Sequence, residues 1–382
     1  MTSAEHFRKE FPIFQSKIQL SSCSQSAMHF SVKNAVNAYL ESWEEKGMDW
    51  HNWMAACENA RKLFARQINA AVDEIAIVSS VSHAASAIST SLQPADGRNR
   101  IVVTEFDFPT IGHVWRSAEP QFTVEFFEKN EQGINDCSDY EQHLPDDLLL
   151  FSTSHVNFYN GYKQDLQRIS DMVHRKGGYV FIDAYQSFGQ TPIDVKEMDV
   201  DFLAAGMQKY GFGIPGIAFL YAKKDIVEDL TPRITGWFGQ ANPFAFDIRG
   251  NDYAPATKRF DSGTFPMING FAAEAALTLM HQLDMPTVER HLEKLSTVAA
   301  QEIEQAGLIN RSPFAAQEKG STTAVYAENA SEVEKLMAAK GIIVSARNDV
   351  IRIAPHYYNT SEDIRTAVNE LKKSVKKGST TS

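Results

Sequence analysis

Short apolar segments alternate with longer amphipathic segments along the first two thirds of the chain. The apolar segments lack strict alternation of apolar and polar residues, which is typical of strands buried on both faces of a parallel sheet. They lie at residues 75–78, 101–104, 122–127, 148–151, 178–182, 202–206 and 217–221. Because amphipathic segments connect most of them, the pattern predicts an α/β protein with a seven-stranded, mainly parallel sheet between layers of helices.

The remaining apolar periodicity predicts helices and a second, smaller unit. Apolar residues recur at helical spacing over residues 32–46, 50–69, 163–176, 267–283, 288–305, 332–340 and 361–375, and a helix of small residues ends near residue 91. Beyond residue 259, three short strand candidates (322–326, 342–344 and 351–353) alternate with helices. We therefore predict an irregular N-terminal segment (1–30), a large domain (31–258) and a small α+β domain (259–382).

Composition excludes several classes of function. The 382 residues carry a net charge of -11, which disfavours a nucleic-acid partner. No apolar run approaches the roughly 20 residues that span a bilayer, and the N-terminus does not resemble a secretory signal. The cysteines are Cys23, Cys57 and Cys137; they form no CxxC pair and predict neither disulfides nor a metal site. A cytoplasmic protein that acts on a small molecule is the simplest expectation.

Two charged residues follow neighbouring apolar runs at the centre of the predicted sheet. Asp183 comes directly after residues 178–182, and Lys209 follows residues 202–206 by three positions. Ligands of open α/β sheets bind at the carboxyl ends of the strands, so both side chains are expected in one crevice. An amine and a carboxylate there suit pyridoxal 5'-phosphate (PLP): the amine bonds to the aldehyde, and the carboxylate keeps the pyridine nitrogen protonated. A plain ion pair is the alternative.

A phosphate site is predicted where the first strand of the sheet meets its helix. Residues 79–83 read Ser-Ser-Val-Ser-His, so Ser82 and His83 lie at a helix start, whose free N–H groups and dipole attract anions. Ordinary N-capping by serine is the alternative. Phe108 follows another strand and offers an aromatic face to a pyridine ring. The loop at 20–24 could line the site or form a surface turn.

The order of these features resembles the aminotransferase class V branch of fold-type I PLP enzymes, from about residue 75 to residue 371. Asp183-Ala184-Tyr185-Gln186-Ser187 is similar to the D-x-x-[QH]-[AS] motif of that branch, which implies that Asp183 contacts the pyridine nitrogen and Gln186 the phenolic oxygen. Lys209, followed by glycines at 211, 213 and 216, resembles the lysine that binds PLP covalently.

Within this branch the chain resembles kynureninase. Residues 154–162 (SHVNFYNGY) are similar to its T-H-V-N-Y-x-T-G-Y stretch, and residues 352–355 (RIAP) to its R-x-A-P. The resemblance implies that Arg352 and Asn157 bind the substrate, with Arg352 holding the α-carboxylate. It also implies that Trp237 and Thr264 reach the phosphate of a neighbouring subunit, hence a homodimer with composite active sites. Gln208, counted among the cofactor-binding residues, stands where kynureninase has a tyrosine, which leaves the substrate open.

These features predict a PLP enzyme that acts on an amino acid. The kynureninase resemblance favours cleavage at Cβ after the substrate amine replaces Lys209 on the cofactor (an external aldimine), either by Cβ–Cγ hydrolysis or by loss of a β leaving group such as a thiol. Transamination with a 2-oxo acid is the second possibility and racemisation or epimerisation the third. Desulfurases of the same branch use a catalytic cysteine in the C-terminal domain. Every cysteine here precedes residue 138, which disfavours a desulfurase of that kind. A module that binds without turnover is the non-enzymatic alternative.

Overall fold

The computed structural model describes residues 4–105, 107–128, 130 and 134–378. Its strands are β1 (Ile18–Gln19), β2 (Ile75–Val78), β3 (Arg100–Thr104), β4 (Thr123–Phe127), β5 (Leu148–Ser154), β6 (Tyr179–Asp183), β7 (Phe202–Gly206), β8 (Ala218–Ala222), β9 (Thr323–Tyr326), β10 (Ile342–Ile343), β11 (Ser345–Arg347) and β12 (Val350–Ile353). Its α-helices are α1 (Ala4–Arg8), α2 (Phe30–Lys46), α3 (Trp50–Gln67), α4 (Val81–Ser91), α5 (Pro109–Arg116), α6 (Cys137–His143), α7 (Leu166–Arg175), α8 (Lys224–Val227), α9 (Met267–Met280), α10 (Met285–Gln305), α11 (Ala330–Ala339) and α12 (Ser361–Gly378).

The large sheet has seven strands in the order β2-β8-β7-β6-β5-β3-β4. Only β8 runs antiparallel to its neighbours, so the predicted seven-stranded, mainly parallel sheet is confirmed. Strands β5, β7 and β8 are buried at every position, and β6 at every position after Tyr179, which explains why their sequences do not alternate. Two apolar clusters on opposite faces of the sheet, one of them centred on α4 and α5, complete the layers.

The C-terminal part forms a smaller α+β unit. Strands β11, β12 and β9 make an antiparallel sheet, and α10, α11 and α12 pack together beside it. Helix α9, by contrast, packs mainly against α2 and α3.

The N-terminal segment is more ordered than its sequence suggests. It contains the short helix α1, and β1 pairs in parallel with β10 through Ile18–Ile342 and Gln19–Ile343. The pairing continues as Ala354 donates its N–H to the Leu20 carbonyl (2.7 Å). The prediction of an irregular segment is therefore wrong for these residues, because the pairing partner lies more than 300 positions away in the sequence. The path carries Cys23 and Ser24 to the carboxyl edge of the large sheet.

Candidate active site

The carboxyl ends of β5, β6 and β7 lie side by side. Register pairs Ser154 with Asp183 and Asp183 with Ala204, so the polar ends of these strands meet at one edge of the sheet. A cavity of about 380 Å³ opens there. Its walls are formed by residues from both units and from the N-terminal segment: Cys23, Ser24, Ser80, Val81, Ser82, Phe108, Thr110, Phe158, Asp183, Tyr185, Gln186, Gln208, Lys209, Arg347 and Arg352.

Asp183 and Lys209 face this cavity without forming a contact ion pair. Among the ion pairs of the described residues, none within 4 Å joins them, so the plain ion-pair alternative does not describe the site. The Asp183 carboxylate accepts the N–H of Tyr185 (2.8 Å) and is 7% exposed. Burial raises the pKa of Asp183, while the charge of Lys209 opposes the shift. Burial lowers the pKa of Lys209 to about 8, with Asp183 opposing, so a larger fraction of the amine is neutral near physiological pH than for an exposed lysine.

An aromatic ring is packed beside the Lys209 amine. The Nζ atom lies 4.1 Å from the centre of the Tyr185 ring and 5.7 Å from that of Phe108. The Tyr185 ring crosses the end of β7, where a Cβ on Gly206 would lie 2.4 Å from the ring carbon Cζ. Glycine at 206 is therefore needed for this approach. Burial, and then the Asp183 charge, raises the pKa of Tyr185 to about 12, so its phenol stays protonated.

The start of α4 supplies hydrogen-bond donors to the same cavity. Ser80 caps the helix by accepting the N–H of His83 (3.1 Å), as the capping alternative expected, and the Ser82 hydroxyl lies 3.3 Å from that of Thr110. Capping uses one N–H only, so the first turn keeps its other donors and its positive dipole end for an anion. Helix capping and phosphate binding by the segment at 79–83 are therefore compatible.

Two amide side chains connect the cavity to the N-terminal segment. Gln186 donates to the Cys23 carbonyl (3.0 Å) and Gln208 to the Ser24 carbonyl (3.3 Å). Cys23 is 1% exposed, so the loop at 20–24 lines the cavity and is not a surface turn.

Arg352 is buried at the side of the cavity formed by the small unit. Its guanidinium donates to the Phe158 carbonyl (2.7 Å) and to the hydroxyls of Ser24 (3.0 Å) and Ser345 (2.7 Å). All three acceptors are neutral, and Nε is buried without a partner among the described residues. A buried guanidinium with a spare donor and no carboxylate suits an anionic ligand, since such groups form bidentate bonds to carboxylates.

The structure does not bring every predicted residue into the cavity. Asn157 is buried beneath the loop that follows β5, where its side chain accepts the N–H groups of Tyr159 (2.7 Å) and Asn160 (3.3 Å). It shapes the turn that presents the Phe158 carbonyl to Arg352, and it does not line the cavity, since its oxygen faces its own loop.

His83 lies behind the start of α4, with Nδ1 3.3 Å from the Ser79 hydroxyl and Nε2 buried without a partner among the described residues. Burial lowers its pKa. Trp237 lines a different cavity, of about 590 Å³, and its indole donates to the Pro243 carbonyl (2.5 Å). Thr264 is exposed. None of these three lines the cavity that holds Lys209.

Ser80, Thr110, Tyr185 and Arg347 line the cavity but were not among the predicted site residues, although Ser80 lies within the predicted phosphate segment. Tyr185 lies within the motif that contains Asp183, and this position could have indicated that it lines the cavity. Arg347 precedes the stretch at 352–355 that resembles the family, but its place at the cavity depends on a hairpin in the small unit.

A buried lysine and aspartate at strand ends, a helix start for phosphate and a buried arginine for a carboxylate define the site of a PLP enzyme, and these residues fit PLP. The aminotransferase class V family model matches residues 25–369. The chain belongs to this family and is a PLP-dependent enzyme with the α/β fold of fold-type I PLP transferases.

Several known proteins are similar to this chain over nearly its whole length. An uncharacterized aminotransferase of Bacillus subtilis, YcbU, is 39% identical over 370 residues, covering 96% of this chain and 97% of that protein. A kynureninase of Bacillus cereus is 26% identical, covering 97% and 91% respectively. The structure of a cysteine desulfurase from Thermococcus onnurineus superposes with a TM-score of 0.88 at 19% identity, covering 99% of both chains. No helix among the described residues combines the length and apolar character needed to cross a bilayer.

Proposed function

We propose that the protein cleaves the side chain of an amino acid at Cβ, either by Cβ–Cγ hydrolysis or by loss of a β leaving group. The cavity shared by Lys209, Asp183 and Arg352 is the observation that supports PLP chemistry on an amino acid, and the similarities to known proteins favour Cβ as the position of cleavage. Similarity to a kynureninase supports cleavage at Cβ. So does similarity to a probable cysteine desulfurase of Methanothermobacter thermautotrophicus, since the sulfur of cysteine is attached to Cβ.

Each residue of the site has a separate role in the proposed reaction. Arg352, which lines the cavity, binds the α-carboxylate through its guanidinium. Lys209, with its pKa lowered to about 8, removes and returns the proton at Cα. Asp183 would hold the cofactor by its ring nitrogen, Gln186 by its phenolic oxygen, Phe108 by its ring face, and Ser82 with the N–H groups of α4 by its phosphate. PLP, when bound, accepts the electron pair left by bond cleavage.

Transamination is the second candidate, because the relative at 39% identity is described as an aminotransferase. Lys209, Asp183 and Arg352 serve both reactions in the same roles, so products must decide between them. Cβ cleavage of an amino acid releases its side-chain fragment, whereas transamination consumes one equivalent of a 2-oxo acid and leaves the side chain intact.

The decisive experiment follows the visible absorption of purified protein reconstituted with PLP while kynurenine, cysteine, S-alkyl cysteines and alanine are added in turn, with products identified by NMR. We expect a band that shifts with at least one amino acid, and a released side-chain fragment. The matched control is Lys209→Ala, which should lose the covalent attachment detected by borohydride reduction and mass spectrometry. Substrate turnover without fragment release, dependent on a 2-oxo acid, would establish the aminotransferase alternative.

A homodimer with composite sites is part of the same proposal. Trp237 stands beside a loop with exposed Phe244 (57%), Phe246 (73%) and Ile248 (96%), an apolar surface that suits a subunit interface. Trp237 and Thr264 would then reach the site of the partner subunit. All three cysteines are unpaired and buried, which supports a cytoplasmic location.

A further inference from the structure

A second guanidinium, that of Arg347, faces the cavity beside Arg352. Strands β11 and β12 form a hairpin in which Ser345 lies opposite Arg352 and Arg347 opposite Val350. Residues directly opposite each other in an antiparallel pair share a face, so Arg347 and Arg352 are diagonal neighbours on one face. Long side chains at such positions reach a common point, and both residues line the cavity.

Neither cation of this pair has a carboxylate in direct contact among the described residues. Arg352 donates to neutral oxygens only, and the one hydrogen bond of the Arg347 side chain goes to the adjacent Ala346 carbonyl (3.0 Å). Among the described residues, neither forms an ion pair with a carboxylate within 4 Å. Glu334, on α11, accepts the N–H of Ala346 (2.9 Å). Partial burial and then the nearby charge of Arg352 lower the pKa of Arg347, and the charge of Glu334 only partly opposes this shift.

The backbone that carries Arg347 is anchored. Asn348 forms the hairpin turn with a left-handed φ of 48°, and Asp349 accepts the hydroxyl of Tyr159 (2.7 Å) and, at its carbonyl, the N–H of Ala327 (2.8 Å). The side chain of Arg347 is exposed at the rim. A fixed backbone with an exposed guanidinium holds a charge ready for a ligand that enters the cavity.

We propose that the substrate is an amino acid with a second carboxylate on its side chain, which Arg347 binds while Arg352 binds the α-carboxylate. This inference rests on the proposed function. Asp183 is the one acidic residue among those that line the cavity, against Lys209, Arg347 and Arg352. The cofactor phosphate is assigned to the start of α4, a different element, so it does not account for the two arginines.

The test compares acids with their amides in the holoenzyme. Aspartate, glutamate and S-(carboxymethyl)cysteine are titrated against asparagine, glutamine and S-(carbamoylmethyl)cysteine, with the dissociation constant read from the cofactor band. We expect the preferred acid to bind at least roughly tenfold more tightly than its amide. Arg347→Gln should weaken the acid roughly ten- to hundredfold and leave the amide nearly unchanged, whereas Arg347→Lys should restore part of the preference.

A second measurement does not depend on turnover or on the cofactor band. Glutarate should raise the melting temperature of the wild-type holoenzyme more than butyrate does, and Arg347→Gln should remove the difference. If amino acids bind but acids and amides bind alike, or if Arg347→Gln changes neither measurement, Arg347 is only a solvated rim residue and the inference is overturned while the enzyme function stands. If no amino acid changes the spectrum, the proposed function itself fails.

Discussion

The amine of Lys209 is the residue whose chemistry depends most directly on its surroundings. Its pKa is lowered to about 8, mainly by burial, and only the neutral amine attacks an aldehyde. For protein freed of cofactor, we predict that the rate of PLP uptake rises with pH and levels off above about 8. An ordinary exposed lysine would give a rate that still rises near pH 10. Stopped-flow absorption over pH 6 to 10 measures this profile.

The control for this profile is Asp183→Asn, which removes the group that opposes the shift. The pKa of Lys209 should fall further, so the profile should move to lower pH. A midpoint above pH 9.5 in the wild-type protein would contradict the burial argument.

The chemically distinctive residues of the site could be predicted from the sequence. Asp183 and Lys209 follow apolar strands, and strand ends of a parallel sheet meet at one edge whatever the details of the loops; Gln186 was assigned from the resemblance of its motif. Asn157 shows the limit of that reasoning. Its place after β5 resembles a binding position, yet its oxygen is satisfied by the N–H groups of its own turn. Loop geometry decides whether a polar side chain faces a cavity or its own backbone. The local sequence does not predict that geometry.

At the scale of elements, the edge strand β2 depends on a buried ion pair. Arg61 on α3 and Asp261 are both 0% exposed, and their charged atoms are 2.6 Å apart. Asp261 also accepts the N–H of Ile77, and Arg61 donates to the Ile75 carbonyl (2.5 Å). The pair therefore binds one backbone N–H and one backbone carbonyl of β2. Glu58, whose side chain is 30% exposed, also accepts from Arg61 (3.1 Å), so removing Asp261 would leave the buried guanidinium with one partly exposed carboxylate in place of a fully buried one.

We predict that Asp261→Ala lowers the free energy of unfolding by about 3–5 kcal/mol, because Arg61 would keep its charge without its buried partner. Urea denaturation measures the loss. The matched control is Glu141→Ala, which breaks a pair with Arg175 whose side chains are 54% and 62% exposed, and should cost less than about 1 kcal/mol. Equal losses in the two variants would show that the buried pair has no special role.

Elements with strong periodicity could be predicted, and elements held by distant partners could not. All seven strands of the large sheet were identified from apolar runs. Helix α5 was missed although Pro109 stands at its first turn, a common start signal. Strands β1 and β11 are two and three residues long and exist because β10 and β12 pair with them. Nothing within so short a stretch distinguishes a strand from a loop.

At the scale of the whole molecule, composite active sites predict complementation between subunits. Lys209→Ala and Trp237→Ala should each be nearly inactive alone. In a mixed dimer, one site combines an intact Lys209 with an intact Trp237 from the other chain. After random reassociation of equal amounts, about a quarter of the wild-type activity should return. Mixing without reassociation is the control, and activity that stays at the level of the separate variants would contradict composite sites.

The hairpin β11–β12 has a consequence for how such a protein diversifies. The groups assigned to the cofactor lie mainly on the large sheet and its loops, whereas both arginines lie within six consecutive positions of one hairpin, 347–352. Point substitutions in that short stretch of the gene can exchange the recognised side chain without disturbing the reactive lysine. Descendants of such an enzyme can therefore change their amino-acid substrate by a few point substitutions while the catalytic residues stay the same.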